Sequence, residues 1–398
     1  MLNAARLDYD GRIDLARLEA AADVERYEIS APEEVAARAA GADVILNKEM
    51  PLDAPLIAAL PASVRLVCEA GTGYNNVDLA ACHARDIAVC NVPTYATEAM
   101  AHMAVTFVMA LACSLWPQSA ALATGDRSYM AQCHLGALPH FELTGKTIGL
   151  VGGLGTIGLR VAAMATALGL RVVASDPAAP LGPRDDGVDV VTLDDLLARS
   201  DFVSVHCPLN ARTTGLVGAR AGQESEIPNF KGSSLGRFPL VSADFWTSDH
   251  LLERSRSVDA FFRNARARKT HVEATLNHSC PAQVGAKELA KMKPSAYLVN
   301  TARGAIVDQA ALADALRAKA IAGAALDVFG EGSAPPPPLP DASPLWGLDN
   351  VILTPHIGWQ RLEARQRVVD MCADNIRGFA KGELTNVDTA TGLPRPRA

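Results

Sequence analysis

What most constrains the fold of this chain is a rhythm of short apolar runs. "ADVILN", "VRLVCEA", "IAVCN", "TIGLVG", "RVVASD", "FVSVHCP", "AYLVNTA", "AGAALDVF" and "NVILTPH" alternate with stretches patterned as helices. A strand that reads as continuous Val, Ile and Leu is buried on both faces, as in parallel sheets covered by helices on either side. The expected class is therefore α/β, in two such units. Residues 1–96 form the first, and a longer second unit begins at the apolar helix pattern "TEAMAHMAVTFVMALACSLW" and runs to Pro355. The proline-rich "SAPPPPLPDASPLW", 333–346, reads as a loop because Pro cannot donate to a ladder. A chain of 398 residues with 49% hydrophobic content is large enough to bury two cores.

Composition narrows the partners. A net charge of −7 leaves no basic footprint for nucleic acid or an anionic membrane. No apolar run approaches the roughly 18 residues of a membrane span, so small molecules are the expected partners. Eight cysteines occur with no C-x-x-C and no close cluster, which argues for reduced core thiols and against a metal site or a disulfide framework. The start "MLNAARLDYDGRIDL" has neither a signal-peptide run nor a transit pattern, and "PRPRA" is not a peroxisomal address, so a cytoplasmic location is the default expectation.

Two stretches carry chemistry. In "TIGLVGGLGTIG" a strand passes into a helix through Gly153, Gly155 and Gly158, with Thr156 and Ile157 opening the helix. Such a turn lets backbone amides approach a pyrophosphate, although glycine-rich turns also occur without a ligand. The next apolar run ends in Asp176, where a carboxylate can accept bonds from ribose hydroxyls and repel a 2′-phosphate. NAD is thus favoured over its phosphorylated form, with Arg184, Asp185 and Asp186 leaving the local charge open. The second stretch is the pair "VNTARGAIVD" and "NVILTPHIGW", which set Arg303 and His356 just beyond apolar strands. An Arg fork there suits a carboxylate beside a carbonyl, and a His can exchange a proton near neutral pH. A surface Arg and a structural His are the bland alternatives.

Together, "GTGYNNVDLAAC", "NVPTYATEAMA", "ELTGKTIGLVG", "SVHCPLN", "LAKMKPSAYLVNTARGAIVD", "AALDVF" and "ILTPHIGW" followed by "EARQRVVD" resemble the D-isomer-specific 2-hydroxyacid dehydrogenases, in particular the glycerate dehydrogenase or hydroxypyruvate reductase branch. The resemblance implies a Rossmann NAD-binding domain over 97–356, interrupted at 217–283. It also implies a flavodoxin-like substrate domain, discontinuous in sequence, from 1–96 and 357–398. Arg303 would hold the substrate carboxylate and polarise the C2 carbonyl, His356 would donate the proton, and Gly71, Thr72 and Gly73 would grip the carboxylate. Thr97, Cys207, Pro208, Thr301 and Asp327 would line the NAD, and the helix near 97–116 would form a homodimer. The sequence departs from the pattern at an extra glycine, Gly152, and at Gly332, where the family places a Glu that pairs with the catalytic His. Glu331, one residue early, could fill that role only through a register shift. The implied activity is NADH-dependent reduction of hydroxypyruvate or glyoxylate, with phosphoglycerate, formate and lactate as further substrate classes. An NAD(H)-sensing partner protein of the corepressor kind is the alternative, and the fold alone decides neither.

The third departure is residues 217–283, bounded by "VGAR" and the echoing "VGAK". The segment holds five of the chain's ten Phe and no strand-helix rhythm, where a βα connection ordinarily spans about 2 to 6 residues. Joining Leu216 to Val284 gives "NARTTGLVGAKELAKMKPSAYLVNTARG", the family's run from loop into helix. Every Val codon begins with GT and Gln283 can be encoded by CAG, the two ends of an intron, so the segment reads as translated intron. Duplication of the VGA stretch and a true surface insertion are the other origins, and doubling a loop costs only about 0.6 kcal/mol. Peptide mass spectrometry of the natural protein should find a peptide in which Leu216 adjoins Val284. Tryptic peptides from within 221–283 would overturn the expectation.

Overall fold

The computed structural model describes residues 1–128, 130, 138–177, 179–207, 284–329 and 343–383. The segment 217–283, Pro208, Glu331, Gly332 and the residues beyond 383 lie outside the described residues. The chain is α/β, and every apolar run quoted above contains a strand.

The smaller sheet holds β1 (Val44–Asn47), β2 (Leu66–Glu69) and β3 (Ala88–Cys90), all parallel in the order β1-β2-β3. Its crossovers contain the helices Ala54–Ala59 and Leu79–Ala84, each started by an Asp side chain, Asp53 or Asp78, that accepts from a backbone N–H of the first turn. On the outer edge of β1, Leu2 bridges to Asn47.

The larger sheet holds β4 (Thr147–Val151), β5 (Arg171–Ser175), β6 (Gly182–Pro183), β7 (Val188–Val190), β8 (Phe202–Val205), β9 (Tyr297–Asn300), β10 (Gly323–Leu326) and β11 (Val351–Leu353). Their order is β11-β10-β9-β8-β4-β5-β7-β6, parallel except for the short β6-β7 ribbon. The chain runs outward from β4 to β7 and then returns to β8 on the other side. That reversal leaves a crevice beyond the carboxyl ends of β4 and β8, where doubly wound sheets bind nucleotides.

Three helices cover the faces that matter for the site. Helix α1 (Thr97–Ala112) packs on α2 (Thr156–Ala167), and the last, α3 (Leu362–Ala380), returns to the small sheet. In the core beneath the small sheet, Leu46, Leu66, Cys68 and Cys90 meet Val368, Val369, Cys372 and Ile376 of α3. The apolar pattern 97–116 predicts one helix, but the structure breaks it: Ser114 turns left-handed at φ 46° and a second helix, Leu115–Ala123, leaves at 64°. Pro117 is the cause, because it has no N–H to bond back to Cys113 and its ring would strike that carbonyl. No single helix among the described residues is long and apolar enough to cross a membrane. Val284 is buried and bridges to Val307.

Arg365 ties α3 to the first residues of the chain. Its side chain is 2% exposed, gives Asp10 two bonds of 2.9 and 2.6 Å, and donates to the Leu7 carbonyl at 2.8 Å. That guanidinium holds the Asp10 carboxyl below its ordinary range. A depressed carboxylate stabilises the fold above the ordinary carboxylate pKa and loses that contribution as the pH falls through the lowered value. Arg365→Ala should cost about 2 kcal/mol in urea unfolding at neutral pH, as for loss of charged hydrogen bonds, and flatten the acid dependence of stability. A loss under about 0.5 kcal/mol, as for an ordinary surface change, would show that the anchor is dispensable.

Candidate active site

The nucleotide turn is built by backbone approach. Gly152 leaves β4 at φ 70°, donates to the Ser175 carbonyl at 2.8 Å, and would put any Cβ 2.6 Å from the Cys207 Cβ. The extra glycine is therefore the turn's own requirement, imposed by the neighbouring strand end. Gly158 is equally constrained: a Cβ there would lie 2.6 Å from the Gly153 carbonyl carbon, so helix α2 could not close on the turn. Gly155 differs, because a Cβ would meet nothing within 4 Å. It is the N-cap of α2, with no side chain capping it, and Thr156 beside it is exposed while Ile157 packs inward. The uncapped start of α2 thus has open space beside Gly155, which fits a pyrophosphate.

Asp176 follows β5, and its Oδ2 accepts from the Leu154 N–H at 3.4 Å, so the acid lies against the same turn. Arg184 is engaged elsewhere, by bonds of 3.1 and 2.8 Å to Asp186. With that cation neutralised by its own neighbour, Asp176 sets the charge beside the turn, and the residues fit NAD. Thr97 opens α1 and bonds to the Thr94 carbonyl, Cys207 backs Gly152, and Thr301 is buried after β9. Asp327 is fully buried and spends its carboxylate on the next loop, accepting from Thr354 Oγ1 at 2.5 Å and from the Ile357 and Gly358 amides at 3.0 and 2.9 Å.

The substrate side lies beyond β2 and β9. Gly71, Thr72 and Gly73 form a loop pinned by Val92 N–H to the Gly71 carbonyl at 3.0 Å, Thr72 Oγ1 to the Val92 carbonyl at 3.0 Å, and Asn91 Nδ2 to the Thr72 carbonyl at 2.8 Å. Among the described residues no acceptor meets the three N–H groups of this loop. A Cβ on Gly73 would collide with the Arg303 guanidinium, so the structure brings these two sequence-predicted residues into contact. Arg303 is itself set by Asn300, whose Nδ2 bonds the Arg303 carbonyl at 2.9 Å. His356, half-buried beyond β11, adopts φ 57° with its N–H on the Asp327 carbonyl at 2.9 Å. Burial drives its imidazole down to about 4; Glu49 opposes that, while Arg303, Lys48 and Arg6 reinforce it.

Lys48, Glu49 and Glu69 were not singled out by the sequence. The Lys48 side chain is 1% exposed, its ammonium 3.8 Å over the Trp359 ring and bonded to Glu49 Oε1 at 2.8 Å. A Cβ on Gly71 would lie 3.9 Å from that ammonium. Burial pushes the Glu69 carboxyl up to about 7, against donors from Asn76 at 2.9 Å and Glu49 N–H at 3.1 Å.

A doubly wound sheet with a glycine turn at its reversal point and an acid against that turn is the architecture of a nicotinamide-dependent dehydrogenase. The family model for "D-isomer specific 2-hydroxyacid dehydrogenase, NAD binding domain" matches residues 108–224 and 243–358, and the chain belongs to this family. It is an NAD-dependent D-2-hydroxyacid dehydrogenase, and the break in the match falls within 217–283. A glycerate dehydrogenase from Methylorubrum extorquens is 29% identical over 358 residues, covering 89% of this chain and 88% of that protein. A D-3-phosphoglycerate dehydrogenase from Mycobacterium leprae is 32% identical over 353 residues, which cover 87% of this chain and 51% of that longer protein. The solved structure of a glyoxylate reductase from Paecilomyes thermophila aligns with a TM-score of 0.66 at 25% identity, covering 97% of this chain and 95% of that one.

Asp176→Ala should lower the ratio of kcat/KM with NADH to that with NADPH by roughly tenfold, a change of about 1.4 kcal/mol. An unchanged ratio would show that Asp176 does not read the ribose.

Proposed function

We propose that the chain reduces hydroxypyruvate or glyoxylate to the D-2-hydroxy acid, with Arg303 holding the substrate carboxylate and His356 donating the proton. The contact between Gly73 and the Arg303 guanidinium carries this reading, because it sets a cation against a loop whose N–H groups meet no acceptor among the described residues. Those amides and the guanidinium fork would share the carboxylate, leaving the C2 oxygen toward His356. NADH, when bound at the Gly155 turn, supplies the hydride to C2. The resemblance to a glycerate dehydrogenase along most of both chains supports a short 2-oxo acid as the substrate.

The site would lie in a cleft between a substrate domain made from 1–96 and 357–398 and a cofactor domain made from 97–356. Thr97, Cys207, Thr301 and Asp327 are proposed to border the cofactor there, joined by Pro208. A second copy of the chain is proposed to cover Leu115 and Trp116, which stand 60% and 61% exposed. Light scattering should give the mass of two chains, and a single-chain mass would refute the dimer.

His356 works in both directions with opposite demands. Reduction needs the imidazolium, so its rate should fall as the pH rises through the pKa of the imidazole. Oxidation needs the neutral ring and should show the reverse. A bound carboxylate neutralises Arg303 and thereby raises the imidazole's proton affinity at the moment of use. His356→Ala should cut NADH oxidation by about 10² to 10⁴ while NADH fluorescence titration shows unchanged affinity. Equal loss of cofactor binding would remove the proton-donor assignment.

A further inference from the structure

Lys48 and Glu49 follow β1, in a turn where a Lys-Glu pair ordinarily stands in solvent. The structure instead buries Lys48 and holds Glu49 in the left-handed region at φ 58°, close to the 57° of His356. Non-glycine residues keep such backbone only where their surroundings impose it, and such residues gather at working sites. At Glu49 the imposing contacts are three. Its N–H bonds Glu69 Oε1 at 3.1 Å, its Oε2 takes Arg6 Nη1 at 2.8 Å, and its Oε1 takes Lys48 Nζ at 2.8 Å. At His356 the backbone is fixed by the Asp327 carbonyl, and the carboxylate of Asp327 holds the two residues that follow.

The two constrained turns dock through Lys48, whose ammonium sits on the ring of Trp359, three residues past His356. Through Lys48, Glu49 is thereby held beside the turn that carries His356, and among the described residues the charges acting on the imidazole are Glu49, Arg303, Lys48 and Arg6, of which Glu49 is the anion. Glu69 stands behind Glu49, protonated in part near neutral pH. Both carboxylate oxygens of Glu49 are clamped by cations, so the anion is held in one place and cannot swing into solvent.

We propose that Glu49 is a positioning residue for catalysis, its clamped carboxylate supplying the fixed counter-charge that stabilises the protonated imidazole of His356 during reduction. This rests on His356 being the proton donor. An unopposed set of Arg303, Lys48 and Arg6 would drive the proton off the ring, and Glu49 restrains them. The arrangement also works without any acid in the proline-rich loop, where this sequence has Gly332.

The test is the pH profile of kcat/KM for NADH-dependent reduction. In Glu49→Gln, the loss of activity with rising pH should begin roughly one pH unit lower than in the natural protein, with NADH affinity unchanged. Glu49→Asp, which keeps the charge but draws it back by one methylene, should lie between the two. Should Glu49→Gln fail to fold, the Glu49→Asp profile decides alone, a downward shift supporting the proposal and an unmoved limb overturning it. A folded, NADH-binding Glu49→Gln with an unmoved limb overturns it, as does a shift produced by Glu331→Gln in place of Glu49→Gln. Retained turnover in His356→Ala would remove the donor assignment itself. An inactive His356→Ala with an unmoved Glu49→Gln profile would remove this inference alone.

Discussion

The Arg303 guanidinium stands where any side chain at residue 73 would be, and the rest of the site follows from that contact. With glycine at 73 the guanidinium can lie directly on the loop beyond β2, so the carboxyl end of β2 meets that of β9. Parallel strands place every such end on one edge of their sheet. Gly71–Gly73 follow β2, the Gly152–Gly155 turn follows β4, Asp176 follows β5, Arg303 follows β9 and His356 follows β11. Lys48 and Glu49 follow β1 in the same way. Chemistry-bearing residues from distant parts of the chain are collected by strand direction alone.

The charge within the site runs against the charge of the chain. The whole sequence carries −7, yet Arg303 and Lys48 stand against Gly73 and Gly71, and Arg6 reaches Glu49. Against them stand Glu49, held down at about 2 because Lys48, His356 and Arg6 together outweigh its burial, and Glu69, raised by burial to about 7. A small carboxylate bound as proposed would meet this cationic floor and offset part of the cations' effect on His356, which would link binding and proton holding through Arg303.

Much of this was legible in the sequence, because buried parallel strands and glycine turns announce themselves in short local patterns. Every apolar run became a strand, Gly73 lies against the Arg303 guanidinium, and Gly152 and Gly158 stand where a Cβ would collide with its neighbours. The β6-β7 ribbon escaped notice: β6 is two residues, Gly182–Pro183, and β7 carries Asp189 between two valines, so neither shows an apolar run. The break at Ser114 was hidden by apolar residues that continue on both sides of it, although Pro117 was the available signal. Lys48 and Glu49 could not be found by pattern, since burial of a charged pair is decided by Trp359, Arg6 and Glu69, which lie far from it in sequence. The three thiols of Cys68, Cys90 and Cys372 likewise gather in one core without any spacing signature.

If Arg303 and His356 act as proposed, hydride reaches C2 of a short 2-oxo acid from one side and gives one hand of product. The most direct measurement uses NADH dideuterated at nicotinamide C4 with hydroxypyruvate, followed by chiral separation and mass analysis of the product. D-glycerate carrying one deuterium at C2 is the expected product. Unlabelled or racemic glycerate, the L product, or NADH that binds but is never consumed would contradict it.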